Sequence, residues 1–206
     1  MSSVAAVHEA EAFGLAAEIV SFPTERLAAA ISDGTLATIA GHLVEHLPYE
    51  MDGWGQAFSV PVSFEALQAD YIRLFDVPDG KPCPLYTGVY ARRRHDAMEE
   101  LLRFYRHFGL TVSPAAHDLP DSVPTVLEFL QFLCLREAQD AGDPSPIRMA
   151  RADVISRHLY PWAANTASRL AGRSVAPFYV SAVGFVQQLA QAEMVYLRSA
   201  TEAVAS

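Results

Sequence analysis

One short string of the sequence, HLVEH at positions 42–46, has the residue types of a zinc-dependent hydrolase. Histidines four positions apart share a helix face, so both imidazoles can reach one Zn²⁺, and Glu45 is placed to act as a general base. Pro48 ends this helix, and no second cluster of metal ligands follows downstream. We expect His42 and His46 to lie on a half-exposed face, with a zinc-dependent hydrolase as the alternative function.

Other reactive side chains lack the neighbours that catalysis needs. Cys83 lies between two prolines with no identifiable base beside it, and it is far from Cys134, which favours reduced thiols. Lys81, the only lysine, is followed by proline instead of serine or threonine, which excludes a Walker A phosphate loop but leaves one candidate for Schiff-base chemistry. We therefore expect no catalytic residue, no metal and no cofactor.

Two charged features stand out from their surroundings. Glu128 lies within the apolar run VLEFLQFLCL, where a carboxylate is costly to bury without a partner. We expect either an internal ion pair with an arginine or a receptor for the guanidinium group of a ligand. The run Arg92-Arg93-Arg94 is most simply the solvated first turns of a helix. Because the helix dipole disfavours cations there, the position is also a weak indication of a partner or of internal acidic neighbours.

The composition limits the possible partners. The chain has 206 residues, 51% of them hydrophobic, and a net charge of −9, which suits a sizeable core but not binding to nucleic acid. The excess of carboxylates favours a cationic partner or solubility alone. The first twenty residues contain no basic stretch, so we expect no secretory signal and no membrane insertion, and we expect the protein to be cytoplasmic.

Apolar residues recur at helical spacing along the whole chain, which predicts an all-α fold. Thr24 and Ser63 precede amphipathic segments and are expected N-caps, and Gly109 is an expected left-handed C-cap. Predicted later helices cover about 89–108, 147–158, 161–170 and 177–200, and another opens near Asp121 with Pro124 in its first turn. We expect one domain, 1–206, with a possible subdivision near 141–146.

Three segments together resemble the TorD/DmsD/NarJ family of redox-enzyme maturation chaperones. The first is YIRLFDVP at 71–78, followed by PCPLYTGVY at 82–90. The second, DLPDSVPTVLEFL at 118–130, is similar to the family string LPDHLPxxLEF at almost every position. The third, HLYPW at 158–162, looks like the family's HLxPW element. Their order and spacing extend the resemblance over essentially the whole chain.

The resemblance implies an all-α domain of about ten helices that is not an enzyme. Family members bind the N-terminal leader, often a twin-arginine signal, of a molybdopterin oxidoreductase catalytic subunit of the nitrate or dimethyl sulfoxide reductase type. They retain the subunit in the cytoplasm during cofactor insertion and assembly, and they proofread its export. A helical adaptor that binds a folded partner is a further alternative.

One position departs from the family pattern, because Ser122 stands where the family has histidine. Recognition of the leader by the family histidine is therefore in doubt for this chain. Asp121 is the remaining polar residue that matches the family pattern, and Ser122 can still cap the helix. The expected leader-binding residues are Tyr71, Phe75, Pro84, Tyr86, Tyr90, Asp118, Asp121, Ser122, Pro124 and Glu128. The loop of residues 76–87, which contains Pro78, Pro82 and Pro84, is the expected wall of the groove.

Overall fold

The computed structural model describes residues 3–51, 53–59, 61–76, 83–111, 118–140, 142–171 and 176–205. Within these ranges the regular structure is helical and includes no strand, which confirms the predicted all-α class. The α-helical segments are α1 (Ser3–Val20), α2 (Glu25–Ser32), α3 (Thr35–His46), α4 (Trp54–Ala57), α5 (Phe64–Tyr71), α6 (Arg94–His107), α7 (Val123–Gln139), α8 (Ser145–Val154), α9 (Tyr160–Leu170) and α10 (Pro177–Ala205).

Short polar side chains begin the helices where the sequence predicts them. The hydroxyl oxygens of Thr24, Ser63 and Ser122 each accept a hydrogen bond from the amide three residues later. These bonds satisfy donors that would otherwise have no partner in the first turn. After α6, Gly109 adopts a φ of +77°, as expected of a left-handed cap.

The predicted helix at 89–108 begins later than expected, at Arg94. Residues Thr87–Tyr90 instead form a separate 3₁₀ turn. The backbone amides of Thr87 and Gly88 both donate to Asp121, to its carbonyl and its carboxylate respectively, and these bonds hold the turn at an angle to α6. A long-range contact therefore overrides the local helical pattern at the start of this segment.

The predicted break between His158 and Pro161 is absent. The π-helical turn Ile155–Leu159 joins α8 to α9, and the Tyr160 amide donates to the Ile155 carbonyl five residues earlier. A π turn is wider than an α turn, which makes room for Pro161, a residue that has no amide hydrogen and clashes with a regular preceding turn. A second π turn, Ile72–Asp76, extends α5.

The number of helices is slightly lower than the ten predicted. Over the described ranges, α4 is a single turn, and α8 and α9 form one continuous helix through the π turn. Eight separate helices of more than one turn therefore make up the fold.

Helix α7 lies at the centre of the core, as its apolar sequence predicts. It packs along α1 and also against α8, and its fully buried side chains include Val126, Leu127, Leu130 and Leu133. The C-terminal helix α10 packs on α1, α8 and α9 and supplies a second row of buried residues. Burial of these side chains stabilises the fold by about 25 cal/mol per Å² of apolar surface removed from water.

No single helix in the described ranges is both long and apolar enough to cross a membrane. Only α2 and α3 taken together reach that length and composition, and the chain bends by 79° between them.

A buried ionic cluster, which we call the Arg151 cluster, joins four helices of the core. The guanidinium of Arg151 on α8 lies 2.9 Å from the Glu9 carboxylate on α1 and 2.6 Å from the Glu137 carboxylate on α7. It also pairs with Glu193 on α10, while Arg148 lies 2.7 Å from Glu137. The arginine and all three carboxylates are buried, so removal of Arg151 would leave uncompensated carboxylate charge inside the protein.

The cluster holds more carboxylates than guanidiniums, and this imbalance changes the titration of Glu9. Burial raises its pKa to about 8, and the neighbouring Glu193 acts in the same direction against the opposing effect of Arg151. The folded-state pKa thus exceeds the ordinary value of 4.5. The stabilising contribution of Glu9 is complete below pH 4.5 and is lost as the pH rises through the folded-state value.

We expect Glu9→Gln to flatten the dependence of stability on pH, because the amide keeps the size of the side chain and does not titrate. Between about pH 5 and pH 8, the free energy of unfolding of the wild type should fall relative to that of Glu9→Gln by up to about 1.4 kcal/mol per pH unit. Urea denaturation across this range measures the difference. The exposed Glu18→Gln on the same helix should keep the wild-type slope, and equal slopes for wild type and Glu9→Gln would contradict the assignment.

Candidate functional site

The first two family-like segments are joined by backbone hydrogen bonds between residues 85–88 and residues 121–123, which together we call the latch. The Thr87 amide donates to the Asp121 carbonyl at 2.8 Å, and the Val123 amide donates to the Leu85 carbonyl at 3.0 Å. Between these bonds, Tyr86 and Ser122 form an isolated antiparallel bridge. The latch therefore fixes the turn before α6 against the first residue of α7.

The buried carboxylate of Asp121 completes the latch. One of its oxygens, Oδ2, accepts a hydrogen bond from the Gly88 amide at 3.2 Å and lies 3.7 Å from Nε of Arg94. The other, Oδ1, is buried and has no hydrogen-bond partner among the residues that the structure describes. A Cβ atom at Gly88 would lie only 2.7 Å from Oδ2, so the approach depends on glycine. Asp121 therefore positions the backbone and presents no exposed atom to a ligand.

The third family-like segment anchors the loop from the opposite side. Nε1 of the buried Trp162 on α9 donates to the Pro84 carbonyl at 2.9 Å. The hydroxyl of Tyr90 lies 3.4 Å from the Thr166 hydroxyl, and the guanidinium of Arg169 lies 5.5 Å from the Tyr90 ring centre. All three segments recognised in the sequence thus meet around the latch.

Above the latch lies a small cleft with a volume of about 210 Å³, which we call the aromatic cleft. Its apolar walls are formed by Phe22, Tyr71, Phe75, Leu85, Tyr86 and Pro124. The carboxylates of Asp76 and Asp118, both on exposed residues, also line it. The cleft therefore combines an apolar interior with negative charge.

The aromatic walls form a continuous series from the surface to the core. The rings of Phe22 and Tyr71 meet edge to face with centres 5.2 Å apart, and Tyr71 meets Phe75 at the same separation. Phe75 in turn packs against the buried Tyr179, 5.4 Å away. Phe22 is 52% exposed, so the series ends in an accessible aromatic surface suited to an apolar or cationic side chain.

Two tyrosine hydroxyls in the cleft stay protonated near neutral pH. Burial raises the pKa of Tyr71 to about 12, with further contributions from Asp118 and Asp76. Burial also raises the pKa of Tyr86, and its hydrogen bond to Asp118 adds to the effect. The cleft thus offers phenol donors and carboxylate acceptors side by side, which can bind a guanidinium or a backbone amide of a peptide.

A second cavity of about 320 Å³ shares Asp118 with the aromatic cleft. Its apolar lining includes Tyr105, Phe129 and Phe132, and the Tyr105 hydroxyl donates to the Pro120 carbonyl at 2.8 Å. Glu128 also lines this cavity and is exposed. The expected internal ion pair of Glu128 is therefore wrong, because this residue lies on the solvent-exposed face of α7, between the buried Leu127 and Phe129.

The ten predicted site residues divide into two groups. Five line the aromatic cleft, and Glu128 lies in the second cavity that Asp118 also reaches. The remaining four support the latch: Pro84, Tyr90, Asp121 and Ser122. Pro78 and Pro82, expected in the wall of the groove, lie outside the described residues.

Phe22 is the lining residue of the cleft that the sequence did not lead us to expect, whereas Asp76 and Leu85 belong to the loop of residues 76–87 expected to form the groove wall. Phe22 lies in the short link between α1 and α2, and only the fold brings it against Tyr71, fifty positions away. One feature of the sequence could have identified Phe22 as a binding residue. It precedes Pro23 in the connection between two helices, and an aromatic residue in a surface loop often has a role in binding.

The zinc-like string lies on the exposed side of α3. The rings of His42 and His46 stack with centres 4.2 Å apart, and Nδ1 of His46 lies 2.8 Å from the His42 carbonyl. Stacked rings do not direct their nitrogens at one point between them. Across the described part of the chain, no group of three or more histidine, cysteine, aspartate or glutamate side chains is arranged to hold a metal ion.

Residues 36–168 match the sequence profile of the nitrate reductase delta subunit family. This segment contains every residue of the latch and all of the aromatic cleft except Phe22. The family match thus covers the structural features that the three segments build.

Relatives of known role resemble the chain to different extents. A selenate reductase assembly chaperone from Thauera selenatis is 37% identical over 107 residues, which is 49% of this chain and 55% of the relative. A perchlorate reductase assembly chaperone from Dechloromonas aromatica is 27% identical over 198 residues, 88% of this chain and 86% of the relative. A chlorate reductase assembly chaperone from Ideonella dechloratans is 37% identical over 52% of this chain and 58% of the relative. The first and third matches thus span little more than half of each relative's length.

The crystal structure of a redox enzyme maturation protein from Archaeoglobus fulgidus has the same fold. The two chains superpose with a TM-score of 0.52 and 20% sequence identity, over 92% of this chain and 93% of the other. At this level of identity the likeness concerns the fold alone.

We expect Gly88→Ala to destabilise the protein by about 1–3 kcal/mol, because the added methyl group forces Asp121 and the 3₁₀ turn apart. Gly142→Ala is the matched control, since its methyl group would meet only the exposed side chain of Asp140. Thermal or urea denaturation of the two variants tests the latch. A Gly88→Ala protein as stable as the control would show that the latch does not require this close approach.

Proposed function

The chain belongs to the TorD/DmsD/NarJ family, which the nitrate reductase delta subunit profile represents, and we propose that it is an assembly chaperone for a molybdopterin oxidoreductase. The observation that carries the proposal is the aromatic cleft, a pocket with aromatic walls and carboxylates in its lining that the family-like segments build. The relatives named as assembly chaperones of selenate, perchlorate and chlorate reductases support the same role. The chain itself is not an enzyme in this proposal.

The proposed ligand is the N-terminal leader of the catalytic subunit. An apolar or aromatic leader residue packs against the accessible surface of Phe22 and Tyr71, while an arginine meets Asp118 and Asp76. A twin-arginine signal combines the two chemistries in one short stretch, which explains why such a segment suits this cleft. The cavity beside Glu128 takes the continuation of the peptide, since Asp118 belongs to both spaces.

This proposal transfers the main recognition role from Asp121 to Asp118. Asp121 is buried within the latch and Ser122 caps α7, so both act by positioning the residues around them. Asp118 is exposed and lines the aromatic cleft together with Tyr86. A side chain at this point can meet the peptide directly without any rearrangement of the backbone.

We place this activity in the cytoplasm, before export of the catalytic subunit. A chaperone that covers a twin-arginine leader delays transport until cofactor insertion and subunit assembly are complete. The clients in this proposal are oxidoreductases of the nitrate or dimethyl sulfoxide reductase type.

The direct test is calorimetric binding of a synthetic leader peptide, taken from the oxidoreductase subunit that co-purifies with the chain. Asp118→Asn should weaken binding about tenfold, because a charged hydrogen bond to guanidinium is replaced by a neutral one. The affinity of the wild type should also fall with added salt, and less so in the variant. The exposed Glu45→Gln on α3 is the control and should bind as the wild type does.

A second variant, Phe22→Ala, tests the apolar half of the cleft. We expect a further loss of about tenfold, since the variant removes an exposed aromatic wall without a cost to the core. Binding that is unchanged in both Asp118→Asn and Phe22→Ala would refute the cleft as the leader site. Co-purification with a client that lacks its leader would favour an adaptor for a folded partner instead.

A further inference from the structure

A separate cavity of about 450 Å³ lies beside the start of α6, and the proposed leader site does not account for it. Its lining is mainly polar and includes four arginines, Arg92, Arg93, Arg103 and Arg157, with the acidic residues Asp96 and Glu100. In a chain with a net charge of −9, a cavity with twice as many guanidiniums as carboxylates is exceptional. We call this space the arginine cavity.

Two of the four guanidinium groups have no acidic partner among the described residues. Arg92 and Arg103 form no ion pair with any residue that the structure describes, and both are exposed. Arg93 makes only a long contact of 3.7 Å with the exposed Asp96. Arg157 is the exception, because it pairs with Glu100 and lies 3.6 Å from Asp153. With four arginines and two carboxylates in its lining, the cavity keeps a net positive charge even after these groups pair with each other.

A buried histidine also lines the cavity. His158 is only 2% exposed, and its Nδ1 has no hydrogen-bond partner among the described residues. Its Nε2 lies 3.3 Å from the Glu100 carboxylate without the geometry of a hydrogen bond. Burial lowers the pKa of His158, with Glu100 and Asp121 opposing this effect and Arg157 supporting it. An unsatisfied polar ring nitrogen beside a polar cavity indicates a missing partner.

The backbone adds a further attraction for anions at the same point. Arg93 is the N-cap of the fourteen-residue helix α6, and its side chain makes no capping hydrogen bond with the described residues. The amides of the first turn and the helix dipole therefore favour negative charge, although Asp96 in the first turn offsets part of this attraction. Arg94, the third residue of the arginine run, lies instead by the Tyr86 ring on the latch. The run thus divides between two different sites.

We propose that the arginine cavity binds the phosphate group of a small molecule, with a pyrophosphate or phosphate ester as its ligand class. Guanidinium groups match the geometry of phosphate oxygens, and several can share one phosphate. The volume is within the range of small-molecule sites. A nucleic acid is disfavoured because the chain as a whole carries a net charge of −9, which would repel a polyanionic backbone.

Calorimetry with inorganic pyrophosphate at constant ionic strength tests the proposal on the full chain. The wild type should bind one pyrophosphate, and Arg92→Gln/Arg103→Gln should bind it at least about tenfold more weakly. Arg26→Gln/Arg198→Gln changes the net charge equally at exposed positions on α2 and α10, and it should bind as the wild type does. If the double variant does not fold, the single variant Arg103→Gln, read by phosphorus NMR line width, gives the same comparison.

Three results would overturn the proposal: no binding to the wild type, an equal loss in the Arg26/Arg198 control, or equal binding of sulfate, which would indicate an adventitious anion only. Leader-peptide affinity serves as the independent readout. It should be the same for Arg92→Gln/Arg103→Gln as for the wild type, because neither arginine lines the aromatic cleft. A negative result for phosphate binding would therefore leave the leader-binding proposal unaffected, and the reverse also holds.

Discussion

The contact between the buried Asp121 carboxylate and the Gly88 backbone is the constraint on which the functional surface depends. It binds the segment before α6 to the first turn of α7, and only glycine permits so close an approach. On one side of this contact Tyr86 is held in the aromatic cleft, and on the other side Arg94 turns away from the arginine cavity. Because Asp121 Oδ1 is buried with no hydrogen-bond partner in the described part of the chain, the arrangement carries a desolvation cost that the surrounding backbone bonds must offset.

The acidic character of the chain has several separate origins. Glu9, Glu137 and Glu193 lie inside the protein around Arg151 and tie four helices together. Asp118 and Asp76 lie at the aromatic cleft, where charge is available to a ligand. Net charge alone therefore says little about the partner, since part of it is neutralised in the core and another part is opposed by the arginine cavity.

Local features of the fold follow well from the sequence, and long-range ones do not. The caps at Thr24, Ser63 and Ser122 depend on residues three positions apart, so local chemistry predicts them. The position of Glu128 was misjudged because an apolar run does not reveal which face of α7 is exposed to solvent. The Arg151 cluster was missed because its partners come from four helices. Half of the predicted site residues line the cleft, since the family-like segments carry them, whereas Phe22 joins through tertiary contact alone.

The central claim is that the latch presents one cleft to the leader of a client enzyme. Two-dimensional NMR of the isotopically labelled protein, titrated with the leader peptide, tests this most directly. The account predicts that shifts of backbone amides concentrate at residues 71–76, 85–88 and 118–124, with the Phe22 link included. Shifts concentrated instead on the histidines of α3, or on the groove of Phe104, Phe108 and Met149 between α6 and α8, would contradict it.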